Sequence, residues 1–173
     1  MSTKTHQLWQ QAASLAARAH RHQVRKDGAT PYAAHPFRVA MTVRHVFGCE
    51  DDAVLAAALL HDTIEDTGTD YDEILEQFGT RVADLVACMT KDMRLVESER
   101  ERAYDAQLAR GPWQARLLKL ADVYDNLSEA ADERTRRKMA EKARRALTLA
   151  AGDVELTAAR QAVEALMAEM GVG

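Results

Sequence analysis

Apolar residues in this chain of 173 residues recur every three or four positions, and the period-two alternation of β-branched residues that would mark strands is nearly absent. Leu8, Trp9, Ala12, Leu15, Ala16 and Ala19 form one such stripe, with polar residues on the other side of the turn. An all-α fold is therefore expected, a bundle of about eight helices. The punctuation fits it. Gly28 and Pro31 break a basic stretch, and His35-Pro36 reads as a helix start, since a first-turn proline loses no hydrogen bond. Glu50, Asp51 and Asp52 precede the apolar run Ala53 to Leu60, as suits the positive end of a helix dipole. Asp70 with Glu73 resembles a capping box, Gly79 closes that helix, and Thr80 is placed to cap the next. Gly111-Pro112 separates a charged helix over about 94–110 from the one through Leu117, Leu118 and Leu120. Asp132 and Asp153 are candidate caps for two last helices. There is no internal repeat or linker, so residues 1–173 are expected to form one domain.

Composition narrows the function classes. With 47% apolar residues and three prolines, wholesale disorder is excluded. A formal net charge of −4 argues against a dedicated nucleic-acid binder and leaves room for a local basic patch around an anionic substrate. Cys49 and Cys88 show neither CxxC nor finger spacing, and are expected to be free, small, buried apolar residues of a reduced compartment. Met1 to Gln10 has no apolar signal core and reads as the start of a mature chain. No run approaches the roughly 18 apolar residues of a membrane span. A soluble, cytoplasmic protein is the expectation.

Chemistry concentrates in Leu60-His61-Asp62-Thr63-Ile64-Glu65-Asp66-Thr67. On one continuous helix His61 and Glu65, like Asp62 and Asp66, lie four apart and share a broad face. That face opens directly from the apolar run before it. Ionisable groups beside a core are costly unless paired or metal-bound, and imidazole with carboxylate suits Mn²⁺, Fe or Zn²⁺, the oxygen-rich set leaning to the first two. Taken singly, each residue also has a plainer reading as a cap or surface pair. His35, at the presumed helix start, and Asp122, ending the run Leu117 to Ala121, could complete a ligand set. Asn126 follows Asp122 by one turn.

Arg25-Lys26-Asp27-Gly28, Pro31-Tyr32, His35-Pro36, His61-Asp62-x-x-Glu65-Asp66-Thr67, Phe78-Gly79, Thr90-Lys91 and Lys119-Leu120-Ala121-Asp122-x-x-x-Asn126 stand in one order and spacing. Together they resemble the hydrolase domain of the RelA/SpoT family over residues 6–130, and above all its small stand-alone alarmone hydrolases, including the metazoan SpoT homologues. The resemblance implies a helical HD domain followed by further helices over 131–171. It implies Mn²⁺ held by His35, His61, Asp62 and Asp122, and an acidic pair, Glu65 and Asp66, that activates or positions water. It also implies nucleotide contacts from Arg25, Lys26 and Asn126. The family removes the 3′-pyrophosphate of (p)ppGpp, so a small nucleotide is the expected partner, with no nucleic acid and no membrane.

The chain departs from the family pattern beside the expected nucleoside pocket. It carries Val123-Tyr124-Asp125 before Asn126, and Ser128-Glu129-Ala130 after Leu127. These changes leave base identity open, with an adenosine alarmone or NADPH as alternative substrates, and a non-catalytic nucleotide-binding regulator as a reading from another class. Basic residues from Arg134 to Arg145, interleaved with Glu133 and Glu141, read as a solvated helix face. Val154, Leu156, Val163, Leu166 and Met167 read as core or as an oligomer contact.

Overall fold

The computed structural model describes residues 5–173; Met1 to Lys4, the first part of the stretch read as a mature N-terminus, lie outside the described residues. Among those residues an isolated bridge between Val24 and Pro31 is the one piece of β pairing. The rest is helix and turn: α1 (Thr5–Ala19), α2 (Ala34–Met41) running into a π-helical turn (Thr42–Val46), α3 (Asp52–Leu60), a single turn α4 (Thr63–Asp66), α5 (Tyr71–Phe78), α6 (Thr80–Met89), α7 (Glu97–Arg110), α8 (Trp113–Ser128), α9 (Glu133–Leu149) and, after a 3₁₀ turn, α10 (Thr157–Glu169). The all-helical expectation holds, and α4, a piece too short to show in periodicity, lies at the site. Among the described residues no helix is long and apolar enough to cross a membrane.

The bundle is built on α3. Val54 to Leu60 are all buried, so this helix is apolar around its whole circumference and must be surrounded, as it is, by α1, α2 and α6. Asp51 starts it by accepting from the Ala53 amide. The second organiser is α8, which buries Leu117, Leu118, Leu120 and Ala121 against α2, α6, α9 and α10.

Some local readings need correction. Thr80 is not a cap: it is the first residue of α6, after Gly79, whose φ of 82° is the left-handed region glycine tolerates. Asp153 caps nothing with its side chain and instead pairs with Arg116 through two hydrogen bonds of 2.5 and 2.8 Å. Asp70 and Asp132 do cap, each accepting from the amide three residues on. Helix α7 begins at Glu97, later than its charged pattern suggests. Cys49 and Cys88 are free but only partly buried. Leu156, Val163 and Met167 pack in the core, whereas Val154 is 83% exposed.

The break after Leu60 positions the site. A continuous helix through His61 would use the carbonyls of Ala58 and Leu60, but side chains take both. His61 Nδ1 bonds to the Ala58 oxygen at 2.7 Å and Thr63 Oγ1 to the Leu60 oxygen at 2.7 Å. The chain turns, and α4 restarts with Asp66 N donating to Asp62 O. Of the two helical pairs expected, 62–66 keeps its turn, while His61 belongs to the end of α3.

Candidate metal centre and nucleotide site

His35 on α2, His61 at the end of α3 and Asp62 in the turn bring one ligand atom each to within 4.8 Å of one another. His61 Nε2 lies 3.2 Å and His35 Nε2 3.6 Å from Asp62 Oδ2. Asp122 on α8 joins them, its Oδ1 3.3 Å from His35 Nε2 and 4.0 Å from His61 Nε2. Both histidines are 1% exposed. The Ala58 carbonyl can only accept, so His61 Nδ1 carries a proton and the other nitrogen faces the cluster. That Nε2 is buried without a hydrogen-bond partner. A buried imidazole nitrogen with no hydrogen-bond partner among the described residues, aimed at two carboxylates, fits a divalent cation.

The electrostatics agree. Burial alone would lower the His35 pKa, yet hydrogen bonds to Asp122 and Asp125 push it up to about 9. Burial opposes ionisation of Asp62 and Asp122 too, but His61 beside the first, and Lys119 with His35 beside the second, hold both well below the usual carboxylate range. The cluster is thus a concentration of charge in a nearly dry place. Glu65 and Asp66, on α4, shift the other way: burial raises both, reinforced by Asp62. Glu65 Oε2 accepts the Lys91 amide at 2.8 Å, Oε1 has no hydrogen-bond partner among the described residues, and Asp66 takes a 3.2 Å hydrogen bond from Tyr32.

These groups open into a cavity of about 160 Å³ whose walls also carry Tyr104, Lys91, Lys119, Lys142 and Asn126. A second cavity of about 170 Å³ is lined by Arg25, Lys26, Asn126 and Glu129. Asn126 is common to both. The six expected metal and acidic residues thus share one cavity, while Arg25 and Lys26 lie in the other. The loop that carries them is shaped by Gly28 at φ 73° and by Asp27, which accepts from the amides of Ala29 and Thr30. Arg25 is not a free loop cation. It donates to Glu129 at 2.6 and 3.0 Å and to Asn126 at 3.0 Å, and lies over the Tyr32 ring.

Sequence reasoning missed several groups here. Tyr32, Lys91 and Lys119 stood inside motifs without a role; the Tyr32 hydroxyl donates to Asp62 at 2.7 Å, and Lys119 pairs with Asp122 at 2.8 Å. Lys142 was counted in a solvated face of α9. It instead lines the metal-side cavity, and Arg145 pairs with Glu101 and Asp105, so that face is solvated only in part. The signal available was the helical spacing of apolar residues on either side of it: Met139, Ala140, Ala143 and Ala146 are buried, which turns Lys142 inward at the stripe's edge.

Residues 12–162 match the HD domain family model. The chain is an HD-domain hydrolase of the RelA/SpoT family. It is 47% identical over 120 residues to the human guanosine-3′,5′-bis(diphosphate) 3′-pyrophosphohydrolase, covering 69% of this chain and 67% of that one. It is 41% identical over 121 residues to the Aquifex aeolicus enzyme of the same name, covering 68% of this chain and 17% of that longer protein. Among solved structures, a metazoan orthologue of SpoT that hydrolyses ppGpp superposes with a TM-score of 0.85 at 28% identity, over 96% of this chain and 97% of that one.

Proposed function

We propose that this chain hydrolyses the 3′-pyrophosphate of guanosine alarmones, converting (p)ppGpp to GDP or GTP and pyrophosphate, in the cytoplasm and with Mn²⁺ as its metal. One observation carries the reading: a buried His35–His61–Asp62 cluster opens into a lysine-walled cavity that adjoins, through Asn126, a second cavity lined by Arg25 and Lys26. That is the layout a nucleotide needs, with the base at one end and a diphosphate at the other. The names of the human and Aquifex aeolicus relatives support the same activity.

In this reading His35, His61, Asp62 and Asp122 hold the metal, which when bound would supply a Lewis acid at the scissile phosphate and lower the pKa of water there. Glu65, with its carboxyl raised by burial and Oε1 unpartnered among the described residues, takes the proton of the attacking water. The Tyr32 hydroxyl, shared between Asp62 and Asp66, orients Asp62 at the oxygen that faces the histidines. Lys142 offsets charge on the phosphoryl oxygens as the bond to the 3′ oxygen breaks, while Lys91 and Lys119, paired with Glu101 and Asp122, line the same wall. Arg25 offers a flat cation to the base and Lys26 a point charge to phosphate.

A second reading keeps the site and changes the base. Glu129, a carboxylate on the wall of the nucleoside cavity, motivates testing adenosine alarmones and NADPH. Mn²⁺-loaded protein should be assayed against ppGpp, pppGpp, ppApp and NADPH with product identification. Pyrophosphate released fastest from ppGpp or pppGpp is expected. Phosphate alone, or turnover confined to another substrate, overturns the guanosine reading.

A further inference from the structure

The departure Val123-Tyr124-Asp125 puts a carboxylate on α8 one turn after Asp122, and α2 packs against that face. Asp125 is 4% exposed although it is an acid. Its Oδ2 is 2.6 Å from His35 Nδ1, and its two oxygens receive Arg38 Nε at 2.6 Å and Arg38 Nη2 at 3.1 Å. Arg38, one turn after His35 on α2, also reaches Glu129, which in turn holds Arg25. A continuous polar chain therefore runs from the far side of the His35 ring to the arginine of the nucleoside cavity.

We propose that Asp125 is a positioning residue for the metal centre: it holds the His35 ring by Nδ1–H so that Nε2 faces the ligand cluster, and Arg38 holds Asp125. An imidazole ring has two chemically similar nitrogens, and a ligand ring free to turn about its bond to Cβ spends part of its time with the wrong one forward. A carboxylate behind Nδ1 removes that choice and makes the forward nitrogen a stronger donor. His61 has the same provision from a backbone carbonyl, that of Ala58. Asp125 does for α2 what the helix end does for α3. The bidentate Arg38 fork leaves Asp125 itself one orientation.

The proposal rests on His35 being a metal ligand, and the test separates the two claims. Apo-protein is titrated with Mn²⁺ in competition with a chelator for wild type, Asp125→Asn, Arg38→Gln and His61→Ala. Asp125→Asn is expected to bind about 10- to 100-fold more weakly, the usual scale for removing such a partner, with Arg38→Gln losing less. The His35 Nδ1–H proton of apo wild type, assigned by its absence from His35→Gln, is expected to be downfield and protected from exchange. In Asp125→Asn it should move upfield or vanish. A carboxylate that merely supported the fold would lower the melting temperature and leave both readouts where they were. Affinity within twofold of wild type in Asp125→Asn overturns the role of Asp125 alone. Full affinity in His61→Ala, or no Mn²⁺ binding by wild type, overturns the metal reading beneath it. Should Asp125→Asn fail to fold, an ordinary, fast-exchanging His35 Nδ1–H proton in wild type overturns the proposal on its own.

Discussion

Lys142→Met should damage turnover without damaging the fold. The cavity beside the metal cluster has three lysines, and two are already neutralised: Lys119 by Asp122 at 2.8 Å and Lys91 by Glu101 at 2.7 Å. Among the described residues the Lys142 ammonium has no such partner, and burial together with Lys119 and Lys91 lowers its pKa. The folded protein thus holds an under-compensated cation facing a site lined by the carboxylates of Asp62, Glu65, Asp66 and Asp122, where an incoming diphosphate is the group that would satisfy it. Methionine keeps the apolar stem and removes the charge. A charge-assisted hydrogen bond is worth about 1.5–3 kcal/mol, so kcat/KM on the best alarmone substrate should fall by about 10- to 150-fold. Relief of desolvation acts in the other direction on stability. Tm should hold or rise, a gain of about 1 kcal/mol corresponding to about 2–4 °C in a chain of this size. Steady-state kinetics and thermal melting of the same preparations decide it. A kcat/KM within about threefold of wild type, or a lowered Tm, would refute the reasoning, since either would mean that Lys142 is satisfied by the protein.

Glu65→Gln should keep metal and fold yet lose about two to four orders of magnitude in kcat, the scale of general acid–base work; loss of metal by elemental analysis would make Glu65 a ligand instead. Arg25→Ala should raise KM by about 5- to 150-fold, from the roughly 1–3 kcal/mol of stacking on a base, and should also lower Tm, because the Glu129 and Asn126 contacts go with it. An unchanged KM would remove the loop from base recognition. Asp153→Asn should cost about 1–2 kcal/mol at neutral pH, read as a Tm lower by several degrees. The Arg116 hydrogen bonds hold the Asp153 carboxyl below its usual value, so that stability is present above the unfolded pKa of about 3.9 and is lost as pH falls through the lower folded one. The Tm difference between wild type and variant should therefore shrink in acid, and a difference independent of pH would contradict the ion-pair account.

How much of this was legible in the sequence follows from what each feature depends on. The burial of α3 was legible because Ala53 to Leu60 carries no polar residue, and a helix apolar all round has only the interior to go to. Asp70 and Asp132 were legible as caps because capping acts over two or three residues, whereas Asp51 stood out only as one of three acids at a helix start. Thr80 and Asp153 fail for opposite reasons. Gly79 enters α6 with a backbone only glycine adopts easily, shifting the boundary by one residue, and Asp153 has a stronger partner 37 residues away than any amide nearby. The helix break at His61 was hidden because it arises from side chains competing with the backbone for the Ala58 and Leu60 carbonyls. A periodicity argument has no access to that competition.

The site divides along the same line. The grouping of His35, His61, Asp62 and Asp122 was readable because the order of the motifs resembles the RelA/SpoT hydrolase domain, and the four side chains do lie together. The cations were not readable in the same way. Lys119 and Lys142 look alike in a charge count, yet one is spent on Asp122 and the other is left facing the cavity. Arg25 and Arg38 look like loop and surface arginines, yet both are tied to α8, by Glu129 and by Asp125 with Glu129. What distinguishes a working cation from a structural one is whether a carboxylate from another helix meets it, and that is decided by the packing of α2, α8 and α9. Asp125 and Glu129, which stand where this chain departs from its family pattern, are the residues that meet Arg38 and Arg25. A change at Glu129 therefore alters which cations remain available to a nucleotide without touching the four metal-site residues, whereas a change at Asp125 also reaches His35.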